Sequence, residues 1–154
     1  MGAVANLAPE LFRVVHADVP FVDALTTILD PSLPLTVMEW EEWGDPLHNA
    51  EVYAYMRSYT PYENIAARDY PAILATTSLN DTRVYFVEPA KWVSRLRTTV
   101  TNDPQTRPIL LRTEMVAGHG GRSGRYAMWE QTAWEWAFVL DQLGATTRVE
   151  ATAG

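Results

Sequence analysis

The chain has 154 residues, 47% of them hydrophobic and 20% charged, the make-up of a folded globular domain rather than a disordered segment. A net charge of −7 argues against a nucleic-acid partner, whose phosphates need a basic surface. It leaves a cationic substrate or a plainly solvated acidic surface as the readings. Cysteine is absent, so disulfides and thiolate–metal sites are excluded. No apolar run approaches the length of a membrane span, and no secretory leader is visible at Met1, so a cytoplasmic location away from membranes is expected.

Taken in order, residues 1–11 (MGAVANLAPEL) read as the second half of a buried helix that lacks an N-cap and a polar first turn. Residues 12–19 (FRVVHADV) predict a short buried strand, and 21–29 one or two helical turns. Residues 31–49 contain Pro31, Pro34 and Pro46 and read as a loop around the acidic-aromatic cluster Glu39-Trp40-Glu41-Glu42-Trp43. On residue chemistry alone that cluster is a solvated acidic loop. A helix is expected over 51–59, with Pro61 ending it.

The second strand is 71–78 (PAILATTS), running straight into Asn80-Asp81-Thr82-Arg83. Glu88-Pro89 opens a helix with Trp92, Val93 and Leu96 as its apolar stripe, followed by a polar loop over 97–107. A third strand over 108–115 leads into the glycine-rich turn Gly118-His119-Gly120-Gly121. The longest helix is expected over 123–143, with Trp129, Ala133, Trp136, Leu140 and Leu143 on one face. The tryptophans Trp129, Trp134 and Trp136 read as packing residues, and 144–154 as a flexible tail beyond a domain over 1–143.

Alternating strands and helices predict α/β architecture: three parallel strands joined by right-handed crossovers with helices on the faces. Ligands in such sheets bind beyond the carboxyl ends of the strands. Asp81 follows the second strand and His119 the third, so both loops reach one rim. A histidine in a glycine-rich turn is by itself as compatible with an exposed loop as with catalysis. An aspartate beside it supplies what a general-base imidazole needs. His16, His48 and His119 lack metal-ligand spacing, no metal or cofactor is expected, and Asn80-Asp81-Thr82 reads as a coincidental sequon.

Several motifs together resemble one family: Ala17-Asp18-Val19-Pro20-Phe21-Val22-Asp23, Glu39-Trp40-Glu41-Glu42-Trp43-Gly44, Tyr59-Thr60-Pro61-Tyr62-Glu63-Asn64, Ser78-Leu79-Asn80-Asp81, Glu88-Pro89-Ala90-Lys91-Trp92 and Gly118-His119-Gly120-Gly121. They resemble the C-terminal part of oligopeptidase B, a serine peptidase of the prolyl oligopeptidase family with an α/β-hydrolase catalytic domain. The resemblance implies that Asp81 and His119 are the triad acid and base. It also implies that Glu39 and Glu41 receive the basic side chain before the scissile bond, and that Arg83 lies near bound substrate. Short peptides cut after Arg or Lys are the implied substrates.

A Gly-x-Ser-x-Gly elbow is missing from these 154 residues, and Ser123 follows the histidine instead of preceding the acid. On the resemblance, Met1 falls about six residues beyond the nucleophile, which would explain a helix without a beginning. The expected function is therefore the acid and base half of a serine oligopeptidase, inactive unless an N-terminal chain brings the serine. The rival expectations are a non-catalytic remnant or interaction module pairing through an open, incomplete sheet, and an esterase using another serine.

Overall fold

A computed structural model describes residues 1–146. Of the sequence-predicted tail, 147–154 lie outside the described residues. Three strands, β1 (Val14–Asp18), β2 (Ala72–Ser78) and β3 (Ile109–Glu114), form one parallel sheet in the order β1-β2-β3. The register pairs His16 with Leu74 and Thr76 with Arg112. Every residue of β2 is buried, which is why its sequence is a continuous apolar and hydroxyl run rather than an alternation.

Side chains alternate across the sheet, so its two faces differ in chemistry. Val15, Ala17, Ile73, Ala75 and Ile109 pack with Trp92, Val93 and Leu96 of α5 (Val87–Thr99) to make the main core. The stripe expected on α5 is the one that packs, and Trp92 and Leu96 are fully buried. The helix runs three residues into the predicted polar loop, because Leu96 anchors its last turn and Arg97 Nε donates to the Ile109 carbonyl at 2.8 Å.

A second cluster holds the segment predicted to be a loop. There α3 (Thr36–Trp43) forms against α2 (Ala24–Ile28) and α4 (Ala50–Tyr59). Trp40 and Trp43 pack on the buried Leu25, Ile28 and Met56, and Trp40 Nε1 donates to the Ile28 carbonyl at 3.0 Å. Tertiary packing of two aromatic residues three apart overrides the prolines and the weak local propensity. Gly44, at φ 89°, ends the helix in a conformation open to glycine. The helix α4 has a true N-cap, Asn49, whose side chain accepts from the Glu51 and Val52 amides. The N-terminal α1 (Gly2–Leu7) is a short helix with no side-chain cap.

The other face of the sheet carries His16, Thr76 and Arg112, and it meets α6 (Arg125–Gln142). The predicted tryptophan stripe does not pack there: Trp129 is 58% and Trp136 59% exposed, and Trp134 is exposed too. Glu135, the buried residue of this helix, faces inward instead. Its carboxylate lies 3.9 Å from His16 Nε2, Arg13 Nε donates to the Gln142 carbonyl, and the Arg112 guanidinium sits 4.5 Å from the Trp134 ring. A sheet face studded with His and Arg is met by the polar stripe of the helix, which turns the apolar stripe outward.

Candidate active site

The end of β2 delivers Asp81. Its amide donates to the Ser78 carbonyl at 3.2 Å, turning the chain sharply and leaving the carboxylate only 2% exposed. One carboxylate oxygen, Oδ1, accepts the Arg83 amide at 2.8 Å and the Val84 amide at 3.1 Å. Its other oxygen, Oδ2, lies 2.8 Å from His119 Nδ1. A carboxylate can only accept, so the proton of a neutral imidazole sits on Nδ1 and the Nε2 lone pair is left free. The His119 side chain is 39% exposed, so this lone pair belongs to an accessible group.

The turn that aims His119 is fastened on both sides. The Gly121 amide donates to the Gly118 carbonyl at 3.0 Å, with Gly121 at φ 70°, where a Cβ would be strained. Arg122 Nε pairs with Glu114 at 3.0 Å, tying the turn to the end of β3. Asn80 Nδ2 donates to the Val116 carbonyl at 3.0 Å and so links the aspartate loop to the histidine loop. Sequence reasoning dismissed Asn80 as a sequon; its place directly before the acid was the available signal.

Beneath His119 lies a cavity of about 290 Å³ lined by Asp18, Thr76, Glu114, Gln131 and Glu135. Val19, also on its wall, has φ 44°, a strained setting for a β-branched residue that the hydrogen bond its amide donates to the Thr76 carbonyl helps to hold.

A second cavity, about 310 Å³, opens beside the aspartate loop. One wall carries Phe21, Glu39, Glu42 and Trp43, and the facing wall is Thr82 to Tyr85, including Arg83. Glu39 and Arg83 are therefore brought together on one cavity. Glu41 is not: it is exposed and lines no part of this cavity. The helical phase of α3 is the cause, since Glu39 and Glu42, three apart, share a face that Glu41 leaves. Partial burial raises the Glu39 pKa above its ordinary value, and the neighbouring Glu42 charge adds to the rise. A half-buried carboxyl held beside another acid is stabilised by an incoming cation, and a planar guanidinium can bridge the two. Among the described residues no group of three or more His, Asp or Glu could hold a metal ion, and no helix is long and apolar enough to cross a membrane.

A parallel sheet with helices on both faces, and an Asp–His pair beyond the strand ends, are the features of a segment of an α/β-hydrolase fold. The chain belongs to the prolyl oligopeptidase family, whose model matches residues 1–146. It is 52% identical over 144 residues to Protease 2 of Moraxella lacunata, an overlap covering 94% of this chain and 20% of that protein. It is 47% identical over 148 residues to dipeptidyl aminopeptidase BI of Pseudoxanthomonas mexicana, covering 96% of this chain and 20% of that one. Among solved structures, oligopeptidase B of Leishmania major superposes with a TM-score of 0.91 at 48% identity, over 97% of this chain and 20% of that one. Oligopeptidase B of Trypanosoma brucei with covalently bound antipain gives 0.89 at 44%, with the same coverage. The chain thus spans about a fifth of the length of these relatives.

Proposed function

We propose that this chain supplies the general base and its orienting acid to a serine peptidase that cleaves short peptides after Arg or Lys. The observation that carries the reading is the 2.8 Å contact between His119 Nδ1 and a buried Asp81 carboxylate. The serine comes from an N-terminal oligopeptidase chain, and neither part alone turns over substrate. His119 Nε2 takes the serine proton as Oγ attacks the scissile carbonyl carbon. The same proton then passes to the leaving amine nitrogen as the C–N bond breaks. Asp81 remains ionised throughout and stabilises the imidazolium.

The basic side chain of the substrate enters the cavity beside the aspartate loop, where Glu39 meets its guanidinium or ammonium group. Glu42 supplies the second carboxylate at the cavity wall; Glu41, kept on the resemblance as a substrate-binding residue, acts from outside that wall. Arg83, on the opposite wall, meets the adjoining part of the peptide. We place this activity in the cytoplasm, in keeping with a chain free of cysteine.

The test is complementation. An N-terminal oligopeptidase B fragment that ends just after its Gly-x-Ser-x-Gly elbow helix is mixed with this chain, and an arginyl peptide substrate is assayed. Turnover is expected from the mixture and not from either part. Turnover that survives His119→Ala refutes the assignment. A second reading, an interaction module without catalysis, draws on the outward tryptophan face of α6 and on β1 having one strand neighbour among the described residues. Tight association of the two parts with no turnover favours it.

A further inference from the structure

Glu88 is 1% exposed, a carboxylate enclosed in the first turn of α5. It makes no contact with the Asp81–His119 pair. Its oxygens instead gather groups more than sixty residues away. Glu88 Oε2 accepts the Val22 and Asp23 amides, both at 3.0 Å, and Oε1 accepts the Thr27 hydroxyl. Asp23 in turn pairs with Lys91, one turn further along α5.

The bonds continue toward the second cavity. The Thr27 carbonyl accepts the hydroxyl of the buried Thr36 at 2.9 Å, and the Ile28 carbonyl accepts Trp40 Nε1 at 3.0 Å. Thr36 and Trp40 belong to α3, the helix that carries Glu39. On the other side, Glu88 donates its amide to the Tyr85 carbonyl at 3.0 Å, and Tyr85 closes the facing cavity wall. Both walls of the cavity therefore converge on one buried carboxylate.

We infer that Glu88 is a positioning residue for the cationic subsite: through Thr27 and α2 it holds α3, and hence Glu39, at a fixed distance from the Thr82–Tyr85 wall. The inference rests on the proposed cationic role of that cavity, and its mechanism is hydrogen bonding rather than charge. Each acceptor position is matched by a donor, so a neutral isostere can serve. In Glu88→Gln the amide oxygen accepts the two backbone N–H groups and the NH₂ donates to Thr27. In Glu88→Ala three donors lose their partner at once.

The test uses the full 154-residue chain with two readouts, amide hydrogen exchange resolved along the sequence and calorimetric titration with arginine amide. In Glu88→Ala, exchange over Glu39–Trp43 is expected to speed by about tenfold or more while β2 stays protected. Arginine amide should bind about tenfold more weakly in the same variant. Glu88→Gln should restore both to within about twofold. A folded Glu88→Ala chain with wild-type exchange in α3 overturns the inference, as does a Glu88→Gln chain that behaves like Glu88→Ala. Should Glu88→Ala fail to fold, Thr27→Val cuts the link to α2 alone, and unchanged α3 exchange there overturns it equally. If wild-type chain ignores arginine amide while α3 exchange still responds to Glu88→Ala and recovers in Glu88→Gln, the positioning role stands and the cationic subsite falls.

Discussion

Replacing Asp81 by Asn is the sharpest probe of the Asp–His pair, because the structure dictates which way the new amide must turn. Oδ1 accepts two backbone N–H groups, from Arg83 and Val84. Placing NH₂ there would set donor against donor and leave two partly buried amides without their acceptor, at about 1 kcal/mol each. The side-chain oxygen therefore stays where it is, and NH₂ faces His119 Nδ1. That nitrogen must now accept, so the ring proton moves to Nε2 and the base is lost while the loop geometry survives. The wrong tautomer in a Ser-His-Asp triad costs about 10⁴ in kcat, which is about 5.4 kcal/mol of transition-state stabilisation. Folding stability should change by no more than about 1 kcal/mol, because the backbone bonds are kept. Two measurements check this: nitrogen-15 NMR of the His119 ring in this chain, and turnover of an arginyl substrate after complementation. A variant ring that keeps its proton on Nδ1, or turnover within about tenfold of wild type, would refute the reasoning.

Three further outcomes follow from burial and charge. Trp92→Ala should lower the unfolding free energy by about 3–5 kcal/mol in urea titrations, whereas Trp136→Gln should change it by about 0.5 kcal/mol or less. Burial raises the Glu88 pKa, so the folded chain holds that proton to higher pH than the unfolded chain, whose value is near 4.5. The resulting stability is complete below that pH and is lost as pH climbs through the raised value, at up to about 1.4 kcal/mol per pH unit. The difference between wild type and Glu88→Gln in denaturant should track this decline and level off above it. Glu39 is likewise raised, by burial first and Glu42 second, so arginine amide competes with its proton up to a higher pH than at an ordinary glutamate. Its affinity should increase with pH above the ordinary carboxylate range, and Glu39→Gln should flatten the calorimetric pH profile.

Much of the frame was legible. Residues 72–78 are apolar or hydroxyl-bearing throughout, so a strand covered on both faces was the natural reading, and the parallel topology followed. Asp81 and His119 stood out because each directly follows a strand, where parallel sheets present their loops to one rim. Periodicity, however, marks an apolar stripe without saying what meets it. On α6 the polar residues His16 and Arg112, remote in sequence, decide the orientation. The helix α3 was hidden because its flanking prolines and acidic residues oppose it, and only contacts with Leu25, Ile28 and Met56 stabilise it. Without that helix its phase was unknown, and with it the separation of Glu42 from Glu41. Glu88 was invisible for another reason: its three donors come from residues 22 to 27, and no local pattern announces them.

The outward turn of α6 also divides the tryptophans into optical populations. Trp92 emits from a dry core, Trp40 packs on the second cluster, Trp43 lines the acidic cavity, Trp134 lies against Arg112, and Trp129 and Trp136 look into water. Unfolding will be reported by Trp92, while any surface that comes to rest on α6 will shift the other group toward the blue and shield it from iodide. The chain carries, in its own side chains, separate lamps for its folding and for its docking.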